Sequence, residues 1–217
     1  MVMTPSKSPS TDIRARLARL AEPAAAASAL RSRSIARFTE RADASGLVDV
    51  AYATADSPVG PLLLASTQNG LVRVAYTAEG GEGGVLQQLA ARISPRILER
   101  PARLDSARRE LDEYFAGRRQ AFDLAIDWRL TGPFAERVLR STAAIPFGDC
   151  LTYGQIAAAA GSPRGARAAG NALGSNPIPI VIPCHRVLRG GGALGGYTGG
   201  VERKRALLAI EGVEPPR

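Results

Sequence analysis

The chain has 217 residues, of which 45% are hydrophobic and 22% are charged. This composition suffices for a buried core in one domain or two small ones, and it contains no long apolar run typical of a membrane span. The net charge of +8 and the pI near 10.3 favour a polyanionic partner. One histidine and two cysteines are too few for the usual four-ligand zinc site, so we expect no metal and no other cofactor.

The basic excess is confined to the two ends of the chain. Lys and Arg outnumber Asp and Glu by 8 to 4 in residues 1–46 and by 10 to 5 in residues 131–217, whereas residues 47–130 carry 10 basic and 11 acidic side chains. The first segment is rich in Ala, Arg and Ser, and we interpret it as an extension without a catalytic role. A solvated tail, a helical pair packed on the body and an additional DNA contact all stay open for it. Short helices are predicted there at 11–21 and 28–43.

Residues 47–130 show the pattern of a small α/β domain. An Asn-Gly turn at 69–70 between two apolar runs is a strong hairpin signal. No catalytic cluster is found in this segment, so we interpret it as a scaffold. The predicted elements, in chain order, are strands at 48–54, 60–66 and 71–76, helices at 85–93 and 104–115, and a strand at 122–126.

Residues 131–217 are predicted to be almost all helix and turn. The helices at 153–160 and 164–173 are joined by Gly161-Ser162-Pro163, where Ser162 can cap the second helix, and this is the helix-turn-helix shape. The second helix carries Arg164 and Arg167 among Gly and Ala residues, a surface that permits close approach to DNA rather than reading of base edges. Two further helices are predicted at 133–144 and 201–210.

The run IPCHRV at 182–187 places Cys184 directly beside His185, the only histidine of the chain. A free cysteine has a pKa of roughly 8.5, so a nucleophilic cysteine needs an activating neighbour, and His185 is the only imidazole available. A Cys-His pair is also typical of a structural cysteine beside a satisfied histidine. Cys150, the second cysteine, is predicted to be a small buried hydrophobe.

The residues around this pair resemble the O6-alkylguanine-DNA alkyltransferases, also called methylated-DNA-protein cysteine methyltransferases. The resemblance is strong over residues 131–212, looser over 47–130 and absent from 1–46. Several ordered motifs at compatible spacing carry it, whereas Pro-Cys-His alone would be weak evidence. They are YGQIA at 153–157, RGARAAG at 164–170, NPIPIVIPCHRV at 176–187, GGYTGG at 195–200 and LLAIEG at 207–212.

The resemblance implies an RNase H-like α/β domain at 47–130 and a mainly α, winged-helix-like domain with a helix-turn-helix at 131–217. It implies a monomer that docks in the minor groove of double-stranded DNA and extrudes an O6-alkylguanine nucleotide. The alkyl group then passes once, irreversibly, to Cys184. With no secretory signal and no disulfide framework, we expect a cytoplasmic protein, associated with the nucleoid if the source is bacterial.

The family match also implies roles for individual residues. Glu211 opposes the dipole of its helix, so it needs a partner, and a Glu211-His185-water-Cys184 relay would favour the thiolate. Arg167 would fill the space left by the extruded nucleotide, and Tyr153 would donate a hydrogen bond to the guanine ring. Asn176 would bond backbone groups and tie the second helix to the active loop. The rest of the expected DNA surface is Arg164, Ala166, Ala168 and Gly170, and the expected pocket is Tyr153, Val187, Tyr197 and Thr198.

Two positions depart from the usual family pattern. Gly165 stands where alanine is common, which is expected to weaken the first helical turn by about 1 kcal/mol. Thr198 stands where serine is frequent.

Three alternatives stay open: a damage sensor that binds flipped bases without transfer, a DNA-binding regulator with a sensing cysteine, and a cysteine hydrolase using Cys184, His185 and Glu211. The cysteine argues against the sensor, because the alkyltransferase-like proteins lack a thiol at this site.

Overall fold

The structure is a computed structural model that describes residues 30, 33–35, 37–77 and 81–214. The chain divides into two compact units, residues 1–47 and 48–217. In the first unit the described positions from 30 to 44 are helical, which agrees with the helix predicted at 28–43. The helix predicted at 11–21 lies outside the described residues.

A four-stranded sheet of order β3-β2-β1-β4 opens the second unit. Strands β1, β2 and β3 are antiparallel neighbours, whereas β4 pairs parallel to β1. The three predicted strands and their Asn-Gly hairpin are confirmed; β4 was not predicted. The strands are β1 Val50–Ala55, β2 Leu62–Thr67, β3 Gly70–Tyr76 and β4 Ile97–Glu99.

Two helices cover the two faces of this sheet. Helix α1, Gly81–Arg92, begins four residues earlier than predicted, and α2, Asp105–Phe115, follows a short 3-10 turn. Every residue of β2 is buried, because alternate side chains enter two different apolar clusters, one beneath α1 and one that includes residues of α2. The strand predicted at 122–126 is wrong. Only one isolated bridge forms there, between Leu71 and Ile126.

The second half of this unit is helical, as predicted. Thr152 caps α4 by accepting a hydrogen bond from the backbone N–H of Gln155, whose side chain bonds back to the Thr152 N–H. A two-stranded parallel sheet joins the start of α4 to the segment after Cys184. The elements are α3 Pro133–Ala143, β5 Leu151–Thr152, α4 Tyr153–Ala159, α5 Ala166–Gly174, β6 Val187–Leu188 and α6 Val201–Ile210.

Helix α5 starts two residues later than predicted, which changes the interpretation of Gly165. Gly165 precedes the helix, and its N–H donates to the Ser162 carbonyl at 2.7 Å. A Cβ on Gly165 would lie 2.4 Å from Ser162 Oγ and 3.0 Å from the Ser162 carbonyl oxygen, so glycine avoids a close contact in this turn. The predicted weakening of the first turn and the predicted Ser162 cap are both wrong, since no side chain caps α5.

One apolar core runs from the sheet through α3, α4 and α5 to α6. The segment that leads to Cys184 lies against the sheet edge, where Val74 N–H of β3 donates to the Pro177 carbonyl at 2.9 Å. Ile180, within this segment, is fully buried and has a φ of 75°, a conformation that a β-branched residue rarely adopts. Within the described residues, no helix is long and apolar enough to cross a bilayer.

Candidate active site

Cys184 begins a single 3-10 turn, Cys184–Arg186, that directly follows Pro183. In an extended strand, neighbouring side chains would point to opposite faces, so the turn is what allows Cys184 and His185 to serve one site. Both side chains are inside the protein: Cys184 is 5% exposed and His185 is 0% exposed. A buried nucleophile of this kind is reached only by a group that enters a cavity.

Asn176 holds the cysteine. Its Nδ2 donates to the Ile182 carbonyl at 2.9 Å and to Cys184 Sγ at 3.2 Å, while its Oδ1 accepts from the Ile178 N–H at 3.0 Å. The sequence predicted the backbone bonds but not the contact with sulfur. Burial raises the pKa of Cys184 to about 11, although the Asn176 bond and the Lys204 charge act in the opposite direction. The thiol is therefore protonated at neutral pH and needs a base.

Glu211, directly after α6, is the hub of a buried polar network. Its Oε1 accepts hydrogen bonds from His185 Nε2 and the Tyr114 hydroxyl, both at 2.7 Å. The Arg186 guanidinium binds both carboxylate oxygens, at 2.8 and 2.9 Å, and the Gly148 N–H adds a bond of 3.3 Å. The predicted contact between Glu211 and His185 is present. The carboxylate also accepts hydrogen bonds from Tyr114, Arg186 and Gly148, which the sequence did not indicate.

The charges of this network leave His185 free to act as a base. Burial raises the pKa of Glu211, but the hydrogen bonds from His185 and Arg186 outweigh it and bring the pKa down to about 2. Burial lowers the pKa of His185, which keeps the imidazole neutral at pH 7. Its Nδ1 is buried and has no hydrogen-bond partner within the described part of the chain. With the Nε2 proton donated to Glu211, the Nδ1 lone pair is available for a proton.

Three residues of this region were missed by the sequence reasoning: Tyr114, Arg186 and Lys204. Lys204 is fully buried, and its Nζ donates to the carbonyls of Val187, at 2.6 Å, and Leu194. Burial lowers its pKa to about 8. The sequence could have indicated that Lys204 is buried, because helical periodicity places it on the same face of α6 as the apolar residues Leu207 and Leu208, three and four positions later. Tyr114 offered no local signal.

A cavity of about 700 Å³ opens beside Cys184. Of the residues predicted for the pocket and the DNA surface, Tyr153, Ala166, Arg167, Gly170, Tyr197 and Thr198 line it, together with Leu173, Gly174, Arg189 and Gly196. Ala168 and Arg164 are exposed but are not among the lining residues, and Arg164 precedes α5 instead of lying on it. Val187 is fully buried and is not among the lining residues, and its carbonyl, the group expected at the pocket, accepts a hydrogen bond from Lys204 Nζ.

Tyr197, on one wall of this cavity, is supported by a residue of the sheet. The Tyr76 and Tyr197 hydroxyls are 2.9 Å apart, and their rings meet edge to face. The Arg203 guanidinium lies over the Tyr76 ring at 4.6 Å and donates to the Gly199 carbonyl at 2.7 Å. A Cβ on Gly199 would come within 2.5 Å of the Tyr76 ring, so glycine permits this close approach. Strand β3 therefore fixes the wall that Tyr197 provides.

Cys150 differs from its prediction. It is half-buried rather than buried, and burial raises its pKa, which makes it a poor nucleophile at neutral pH. Among the described residues, no group of three or more His, Cys, Asp and Glu side chains is arranged to hold a metal ion.

Two family models match the second unit. The 6-O-methylguanine DNA methyltransferase ribonuclease-like domain matches residues 50–128, and the DNA binding domain of the same enzymes matches residues 133–213. The chain belongs to the O6-methylguanine DNA methyltransferase family. This membership confirms the resemblance and the fold class that it implied, a ribonuclease-like α/β half followed by a helical DNA-binding half.

Relatives from this family cover most of the chain. The methylated-DNA–protein-cysteine methyltransferase of Mycobacterium tuberculosis (H37Rv) is 40% identical over 177 residues, which is 76% of this chain and 94% of the relative. The constitutive methyltransferase of Bacillus subtilis (strain 168) is 37% identical over 163 residues, 74% of this chain and 94% of the relative.

Solved structures agree with this assignment. The crystal structure of Mycobacterium tuberculosis O6-methylguanine methyltransferase superposes with a TM-score of 0.65 at 39% identity, covering 77% of this chain and 95% of that one. The crystal structure of Mycobacterium tuberculosis OGT in complex with DNA gives a TM-score of 0.64 at 40% identity, covering 75% and 93%.

Proposed function

We propose that this protein repairs DNA by moving an alkyl group, such as methyl, from O6 of guanine in double-stranded DNA to Sγ of Cys184. One observation carries the proposal: a protonated, buried thiol lines a 700 Å³ cavity together with Arg167 of α5, directly beside a neutral His185 bonded to a carboxylate. A cavity of this size admits a purine, and family membership supplies the reaction class.

Recognition starts at α5. Its exposed small residues, Ala166 and Ala168 with Gly170 beside them, allow close approach to the minor groove, and Arg164 is placed in the preceding turn to contact a phosphate. Arg167 enters the base stack where the damaged nucleotide has left it, which offsets an unstacking cost of a few kcal/mol. The flipped base then enters the cavity between Tyr153 and Tyr197, with Thr198 at its wall.

The chemical step follows from the network around Cys184. His185 Nδ1 accepts the thiol proton through a water molecule, and Glu211 stabilises the imidazolium that results. The thiolate attacks the alkyl carbon, the carbon–O6 bond breaks, and its electron pair returns to the purine. Tyr153 donates a hydrogen bond to the guanine ring and offsets the negative charge on the leaving group.

The product is a thioether, which neither water nor a thiol cleaves readily, so each molecule acts once. We propose that it acts as a cytoplasmic monomer without a cofactor. The domain divisions at 46/47 and 130/131, with residues 1–46 outside catalysis, belong to the same proposal. The separate matches of the two family models support the second division.

The test is mass spectrometry of the intact protein after mixing with a duplex that contains O6-methylguanine. We expect the mass of one methyl group on Cys184, with repair limited to one lesion per protein molecule. Cys184→Ser should remove transfer, whereas Cys150→Ser is the matched control and should retain it.

Two of the alternatives, the hydrolase and the sensor, predict different outcomes of the same experiment. A cysteine hydrolase would neither bind the methylated duplex nor gain a methyl group, and turnover beyond one lesion per molecule would refute the single-use mechanism. Tight binding of the damaged duplex without any mass increase would favour a sensor. A methyl group on Cys150 would refute the assignment of the nucleophile.

A further inference from the structure

A second, smaller cavity of about 270 Å³ lies between the edge strand β3, helix α1 and the loop that leads to Cys184. Arg73 of β3 and Gln88 of α1 line it. Two of its other lining residues belong to the site already described. Thr198 lines the Cys184 cavity as well, and Asn176 holds Cys184 Sγ.

Arg73 is the unusual residue of this cavity. It is half-buried, yet its guanidinium makes no hydrogen bond or ion pair to any described residue. Other arginines of comparable or greater burial are paired: Arg186 with Glu211, and Arg119 with Glu110 and Glu113. An unpaired, partly desolvated guanidinium costs free energy in the folded state.

The surroundings of Arg73 do not offset its charge. No Asp or Glu is found among the lining residues, and burial together with the positive charge of Arg92 lowers the pKa of Arg73. The neighbouring Tyr76 and Thr198 hydroxyls are bound elsewhere, to Tyr197 and to the Gly174 carbonyl. Within the described part of the chain, no carboxylate lines this cavity beside the Arg73 guanidinium.

We infer that this cavity binds a phosphate group through Arg73. A guanidinium matches a phosphate in a bidentate geometry, and the Gln88 amide offers a further donor. The favoured source is the DNA backbone beside the extruded nucleotide, because Thr198 lies between this cavity and the one that receives the base. This source rests on the proposed function, whereas a free phosphate ion would use the same chemistry without DNA.

The experiment compares Arg73→Gln with Arg109→Gln, which removes the same charge from an exposed position of α2 that lines neither cavity. Dissociation constants for a duplex are measured at several salt concentrations. A backbone contact predicts severalfold weaker binding for Arg73→Gln, a slope of log K against log salt that is smaller by about 0.9, and partial rescue by Arg73→Lys.

A second measurement covers the other source. Inorganic phosphate, added without DNA, should raise the melting temperature of the wild type but not of Arg73→Gln if the site takes free phosphate. Either result supports the site. Equal salt slopes for the two variants, with no phosphate effect that depends on Arg73, would overturn it. Failure of the wild type to accept a methyl group would instead refute the proposed function. The phosphate measurement would still show whether Arg73 binds a phosphate group.

Discussion

Replacing Glu211 by Gln is the sharpest perturbation of the proposed relay, since it keeps the shape of the side chain and removes its charge. The carboxylate accepts from four groups: His185, Arg186, Tyr114 and the Gly148 N–H. An amide has only one acceptor oxygen. Whichever way it is turned, its NH₂ group faces at least one of these donors.

The expected cost has two parts. Leaving the Arg186 guanidinium, whose side chain is 6% exposed, without its counter-ion should destabilise the fold by about 3–5 kcal/mol. Loss of the charge that stabilises the His185 imidazolium should lower the basicity of Nδ1, so methyl transfer at neutral pH should be roughly 10- to 100-fold slower. DNA affinity should be nearly unchanged.

The pH dependence of stability gives an independent check. The pKa of Glu211 is about 2 in the folded protein against a reference of 4.5, so its contribution is complete above pH 4.5 and is lost as the pH falls towards 2. At pH 3, the wild type should have lost about 2 kcal/mol of the unfolding free energy that ionised Glu211 contributes. The difference in unfolding free energy between wild type and Glu211→Gln should therefore be smaller at pH 3 than at pH 7.

The assay is single-turnover methyl transfer against pH, with urea unfolding at both pH values. Glu202→Gln, at an exposed position on α6, is the matched control and should behave as the wild type. The variant should also show a raised apparent thiol pKa. If the rate profiles of Glu211→Gln and wild type coincide, Glu211 has only a structural role and the relay is refuted.

Two further changes test other parts of the site. Arg167→Ala should slow repair of duplex DNA by a larger factor than it slows reaction with free O6-benzylguanine, because only the duplex requires extrusion. The rates are measured at saturating DNA and fixed salt. If the variant slows both reactions by the same factor, Arg167 is only a phosphate contact. Tyr76→Phe removes the hydroxyl bonded to Tyr197 while keeping its ring, and the loss of about 1 kcal/mol of hydrogen bonding should slow methyl transfer a fewfold with little change in melting temperature. Wild-type rates for both O6-methylguanine and the bulkier benzyl group in that variant would show that the bond does not shape the pocket.

The sequence predicted the parts of the fold that depend on local signals. The Asn-Gly hairpin and the helices carry their own turn, cap and periodicity, so they were placed within a few residues. Strand β4 has three residues and pairs with β1 across more than forty positions, which leaves no local pattern. The alternation at 122–126 was misleading, because those side chains pack on the core without forming a ladder.

The distinction between local signals and long-range contacts also explains which site residues the sequence predicted. Cys184 and His185 are adjacent in the chain, whereas Glu211 was connected to them by the family resemblance, since its position alone indicates only a solvated charge at the end of a helix. Tyr114 bonds Glu211 from 97 residues away, and Tyr76 bonds Tyr197 from 121 residues away. Contacts over such separations are set by how the two halves pack, which a single sequence does not reveal.

These two tyrosines change how the ribonuclease-like half should be understood. It holds no nucleophile, and its sequence indicated a scaffold. Yet one hydroxyl from α2 bonds the carboxylate that orients His185, and another from the end of β3 bonds the side chain that forms a wall of the Cys184 cavity. Burial raises the pKa of both tyrosines, so each stays protonated and keeps a hydrogen to donate or share. The ribonuclease-like half therefore contributes one hydrogen bond to the Glu211–His185 network and one to the wall of the Cys184 cavity.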